Sequence, residues 1–111
     1  MSAAQFRLDS LVAIVDRNGL QLADRTEKIM ALEPLEAKWS SFGFDVRSVD
    51  GNDPGALVDC VGGLDWSCGK PHVLVANTVK GRGVSFIEDP PAWHHKVPVG
   101  DEVARAIEEL E

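Results

Sequence analysis

The stretch LVAIVDRNGLQLADRT, Leu11–Thr26, decides how the rest of the chain is read. Leu11–Val15 is an apolar, β-rich run without alternation, the pattern of a strand covered on both faces. It gives way to Asp16-Arg17-Asn18-Gly19, where the chain turns polar. Asn-Gly is a strong turn pair because both residues tolerate positive φ, so the plain reading of Asn18 is a turn residue. A chemical reading stands beside it. The amide oxygen of Asn18 is a neutral, hard donor suited to Mg2+ or Ca2+, and a backbone carbonyl two residues on can supply a second ligand.

Working outward, residues 2–8 (SAAQFRL) read as the last turns of a helix. Leu35, Lys38, Trp39 and Phe42 recur at helical spacing after Pro34, with Gly43 as the stop. Phe44–Val49 alternates as a second strand, and Asp53-Pro54 is an N-cap followed by proline at the first helical position, opening a helix to about Val61 that Gly62-Gly63 closes. His72–Val79 is a third strand without a polar face. The glycine-punctuated loop KGRGVSF follows, then EDPPAWHHKVP, too rich in proline for regular structure. Asp101–Leu110 carries Val103, Ala106, Ile107 and Leu110 on one helical stripe. Strands separated by short helices predict an α/β fold with three layers, a parallel sheet flanked by helices. In such sheets ligands sit beyond the carboxyl ends of the strands, where Asp-Arg-Asn-Gly and Asp50-Gly51-Asn52-Asp53 lie.

The chain has 111 residues, 44% hydrophobic and 26% charged, which suits one domain or part of one. Its formal net charge of −7, from 18 acids against 11 bases, argues against a nucleic-acid partner. No apolar run is long enough to cross a bilayer, and residues 1–10 lack the apolar core of a signal peptide. Cys60 and Cys68 suit a reducing compartment, so no membrane association and a cytoplasmic location are expected. With His72 they match no zinc spacing. His94-His95 beside Trp93 is by default a surface pair, and Lys80-Gly81-Arg82-Gly83 lacks the spacing of a P-loop.

Four segments, Leu8–Thr26, Leu32–Asp53, Lys70–Phe86 and Pro91–Pro98, together resemble transketolase. The likeness is to the later part of its diphosphate-binding domain, in the form split into two polypeptides. It extends over nearly the whole chain. The resemblance implies thiamine diphosphate held through Mg2+, with Asn18 and the Leu20 carbonyl as metal and cofactor ligands. It implies for His94 a place against the cofactor's diphosphate and the reacting part of the substrate, where an imidazole can donate to a phosphate oxygen or a developing alkoxide. His95 stands where the family more often has glycine and is given no role; the basic loop at Lys80 is given at most a supporting one. The implied activity is transfer of a two-carbon ketol unit between sugar phosphates, as in the pentose phosphate pathway. A pyrimidine-binding subunit or domain supplies the glutamate that activates the cofactor, so a homo- or hetero-oligomer is implied.

The chain also departs from the family. It has no Gly-Asp-Gly, the motif that gives the metal its aspartate, and Leu22-Ala23-Asp24 replaces the family's usual Ile-Asp-Gly. Residues 1–111 are therefore expected to be the C-terminal portion of the domain, truncated at the N-terminus and inactive alone. The alternatives are a non-catalytic remnant or partner-binding fragment, and another thiamine enzyme such as deoxyxylulose-phosphate synthase or a pyruvate dehydrogenase component. Trp93-His94 and Leu32–Trp39 favour transketolase.

Overall fold

His72–Asn77, with four apolar residues in a row at its centre, is buried along all but its last residue. The computed structural model describes residues 1–22, 24–89 and 91–111; Ala23 of the Leu22-Ala23-Asp24 departure and Pro90 of the proline-rich run lie outside the described residues. In chain order the elements are α1 (Ser2–Gln5), β1 (Val12–Arg17), β2 (Leu20–Gln21), β3 (Asp24–Arg25), α2 (Thr26–Ile29), α3 (Leu35–Ser41), β4 (Asp45–Asp50), α4 (Pro54–Gly62), β5 (His72–Asn77), a 3-10 turn at Pro91–Trp93, and α5 (Asp101–Leu110). They divide into two units, residues 1–17 with 32–78 and residues 18–31 with 79–111.

The first unit is the predicted parallel sheet with its helices. β5 lies between β1 and β4, parallel to both. Val12 and Asp45 both pair with His72, and Arg17 and Asp50 both pair with Asn77, so the three strands start and finish level. Val73, Leu74, Val75 and Ala76 are buried, which is where an unbroken apolar run is stable. α3 and α4 pack on β4, and Trp39 meets Phe44 edge-on with ring centroids 4.9 Å apart. The Asp53 cap forms as its sequence requires, its Oδ1 accepting from the Ala56 N–H at 3.1 Å with Pro54 at the first helical position. α3 starts on a borrowed carboxylate instead. Glu33 Oε2 accepts from the Leu35 N–H at 2.9 Å while Oε1 accepts from Arg17 Nη2 at 2.8 Å. The Leu35 N–H, followed by Arg17, holds the Glu33 carboxyl below its usual range.

Two expectations change. β1 runs to Arg17, ending directly before Asn18-Gly19, but it is not covered on both faces: Ile14 is 64% exposed. A continuous apolar run cannot distinguish a strand covered twice from an edge strand covered once. The first helix is also shorter than residues 2–8, because Arg7 takes a left-handed φ of 51° and breaks the winding. At the other end of the sheet His72 is fully buried, its Nδ1 3.1 Å from Asp45 Oδ2 and its ring edge-on to Trp66.

The second unit contains the β2–β3 ladder, two residues per strand, and α2, none of them expected from the sequence. Thr26, buried, sends its N–H to the Gly19 carbonyl at 2.9 Å and so closes the turn that begins at Asn18. Residues 79–89 form successive turns around the buried Val84. Phe86 packs edge-on against Trp93 at 5.7 Å and lies under the Arg105 guanidinium at 4.6 Å, which ties α5 to this loop. α5 occupies the expected residues, with Val103, Ile107 and Leu110 exposed. No helix among the described residues is long and apolar enough to cross a membrane.

Candidate functional site

Asn18 directly follows β1 and begins a tight turn. Its Oδ1 accepts from the Leu20 N–H at 2.9 Å, an Asx turn. Gly19 supplies the positive φ, 72°, that the turn needs. The Gly19 carbonyl is taken by Thr26, so the local hydrogen bonds hold the backbone on either side of Leu20. An amide oxygen has two lone-pair directions, and the Leu20 N–H uses one of them.

The donor set can be compared with what a divalent cation needs. Asn18 Oδ1 and the Leu20 carbonyl are both oxygen donors of the kind Mg2+ accepts, and both are neutral. They fit as part of an oxygen shell and bring no charge to it. Among the described residues there is no group of three or more His, Cys, Asp or Glu side chains that could hold a metal. Cys60 and Cys68 are free thiols.

The carboxyl ends of the sheet are polar. Thr78 Oγ1 donates to Asp16, Asn77 Nδ2 donates to Ser48 Oγ at 3.0 Å, and Gly51 N–H donates to the Asn77 carbonyl at 2.8 Å. This is the end at which open α/β sheets take ligands.

His94 stands just after the 3-10 turn, its N–H bonded to the Pro91 carbonyl at 3.0 Å. Its Nδ1 is 2.8 Å from Lys80 Nζ, and its ring lies edge-on to His95 with centroids 4.4 Å apart. The Lys80 ammonium, then partial desolvation and His95, hold the His94 imidazole below its ordinary range, which favours the neutral ring. The structure thus joins Asn18 to Leu20 in one turn and His94 to Lys80 across two loops. The contact of Lys80 with His94 is not legible in the sequence, because a fourteen-residue separation between two irregular loops carries no periodic signal. The one available hint is a basic glycine loop and a Trp-His loop in the same chain.

Comparison with known proteins covers the chain over its whole length. It is 52% identical over 110 residues to an apulose-4-phosphate transketolase polypeptide of Actinobacillus succinogenes, covering 99% of this chain and 40% of that protein. The chain is a transketolase homologue. A 6-deoxy-6-sulfo-D-fructose transketolase polypeptide of a Clostridium species is 40% identical over 111 residues, the whole of this chain and 40% of that protein. The chain therefore spans about 40% of the length of these curated relatives. The crystal structure of transketolase from Campylobacter jejuni superposes with a TM-score of 0.83 at 24% identity, covering 98% of this chain and 17% of that one, which establishes the transketolase fold. No family model matches the sequence.

Proposed function

We propose that this transketolase homologue contributes to the Mg2+–thiamine diphosphate site of a two-subunit enzyme that moves a two-carbon ketol unit from one sugar phosphate to another. The observation that carries the reading is the Asx turn at the end of β1, which holds the Asn18 amide oxygen and the Leu20 backbone in one fixed turn. Asn18 Oδ1 and the Leu20 carbonyl are the metal and cofactor ligands. His94 is the catalytic residue: its neutral ring donates a hydrogen bond to an anionic oxygen of the diphosphate or the substrate. When bound, thiamine diphosphate supplies the carbanion that accepts and releases the two-carbon unit. The chain's own residues orient the diphosphate, hold the metal and steady the oxygen that gains charge.

A partner completes the site. Both of the relatives described above are named as subunits of a transketolase, which supports a pyrimidine-binding polypeptide as the companion of this one. The same two names carry an anionic sugar, a phosphate in one and a sulfo sugar in the other, which supports an anionic ketose as the substrate class. Because Asn18 and Leu20 bring no charge, the chain is inactive alone and binds Mg2+–thiamine diphosphate weakly. Calorimetric titration tests this, and micromolar or tighter binding by the isolated chain contradicts it. In the assembled enzyme Asn18→Ala weakens Mg2+-dependent retention of the cofactor, whereas His94→Ala mainly lowers kcat. Unchanged Mg2+ dependence in Asn18→Ala would show that the ligand assignment is wrong.

A further inference from the structure

Lys80 and His94 approach each other through Lys80 Nζ and His94 Nδ1 at 2.8 Å. A lysine ammonium has three donors and no acceptor, so Nδ1 must accept. In a neutral imidazole the single ring proton then resides on Nε2. We propose that Lys80 is the positioning residue for His94, fixing its ring in the Nε2–H tautomer so that Nε2–H is the group presented to an anionic oxygen of a bound phosphate ester. The use of that donor rests on the functional reading above, while the tautomer itself rests on geometry alone.

Both partners are held by contacts of their own. The Lys80 carbonyl accepts from the Asp89 N–H at 2.8 Å, and the Asp89 carboxylate is paired with Arg25. His94 is anchored through the Pro91 carbonyl, next to Trp93, which meets Phe86 edge-on. The titratable groups facing the ring are the Lys80 ammonium and His95; Lys96 is turned toward the Trp93 ring, 5.8 Å from its centroid. Charge alone would not choose between tautomers, because a cation anywhere nearby opposes protonation of the whole ring. A hydrogen-bond donor on Nδ1 does select, because it leaves Nε2 to keep the proton.

The competing account is an exposed contact of little consequence, of the sort common on protein surfaces. It is separated from the proposal by imidazole nitrogen NMR on the 15N-labelled 111-residue chain, without cofactor or partner, across a pH titration. The wild-type His94 is expected to show a protonated Nε2 and a bare Nδ1. Lys80→Met should mix the two tautomers and move the His94 midpoint upward, toward the ordinary imidazole range. Lys80→Arg, which keeps donor and charge, should restore the wild-type pattern, and Lys96→Met should leave it unchanged. A wild-type ring protonated on Nδ1 overturns the proposal with no variant needed. So does a Lys80→Met spectrum identical to wild type. If His94 shows the Nε2–H form while Asn18→Ala leaves cofactor binding in the assembled enzyme untouched, the positioning role stands and the metal assignment falls.

Discussion

Gly51 follows β4 and donates its N–H to the Asn77 carbonyl, bringing the backbone after β4 against the end of the central strand. A Cβ there would stand 2.5 Å from Thr78 Cγ2 and 2.9 Å from Ala76 Cβ, closer than packed carbon atoms come. Glycine is required at this point by space rather than by φ. Gly51→Ala is expected to destabilise the sheet unit by about 1–3 kcal/mol, the usual cost of forcing extra volume into a packed site. Urea denaturation should show the midpoint falling with little change in slope. A midpoint within error of wild type would mean that Thr78 swings aside freely. Asn18 is a different case. Its turn role and its proposed ligand role use separate lone pairs of one oxygen, so the two readings of the Asn-Gly pair are compatible.

At the scale of elements, α5 is joined to the loop at residues 79–89 by a carboxylate. Glu109 accepts from the Ser85 N–H and from its hydroxyl, the latter at 2.9 Å. The backbone N–H, then the hydroxyl, hold the Glu109 carboxyl below its ordinary range. A carboxyl depressed in the folded state stabilises fully above its unfolded pKa, about 4.3, and that contribution is lost as pH falls through the folded value. Wild type should therefore lose thermal stability on acidification below about pH 4.3 more steeply than Glu109→Gln. Glu33 and Asp45 shift in the same direction and act in both proteins, so the difference between the two curves isolates Glu109. Parallel curves would remove the carboxylate from the docking of α5.

Much of this level was legible in the sequence. Asp53-Pro54 announced α4 through a cap whose chemistry is local, the α5 stripe announced a helix, and the apolar run within His72–Val79 announced the central strand, which ends two residues earlier, at Asn77. What escaped depends on distant partners. β2 and β3 are too short to carry a period, and α2 follows from Thr26 bonding back to Gly19. Ile14 is exposed because its face of β1 is left open, which the residues of β1 do not encode. In the site, Asn18 and its turn were visible in a dipeptide. The Lys80–His94 bond was not, because it depends on how two loops fold toward each other.

For the molecule as a whole, the apolar surface is more extensive than its charge suggests. β1 presents an open edge with Leu11 and Ile14 exposed, Met1, Phe6 and Phe42 line an apolar groove, and α5 leaves Val103, Ile107 and Leu110 in solvent. An unpaired parallel edge with apolar side chains is a template for association. The net charge of −7 opposes this only at long range, since repulsion is screened within about 10 Å in ordinary salt. The isolated chain is expected to self-associate, with light scattering that grows with concentration, and Ile14→Lys should reduce that growth by charging the edge. A monodisperse monomer with a sharp thermal transition would show that these faces tolerate water.

The placement of β5 between two partners has a consequence in time. The peptide groups of Val73–Ala76 are bonded on both sides and shielded from solvent, so they meet water only when β1 or β4 separates from them. Deuterium uptake should therefore be slowest in this one tetrapeptide, with an opening free energy equal to that of unfolding residues 1–17 and 32–78 together. The two-residue ladder of β2 and β3 should label far earlier. A single peptic peptide spanning β5 would then act as a clock for the survival of the sheet, readable in mixtures where the chain is bound, assembled or aggregated.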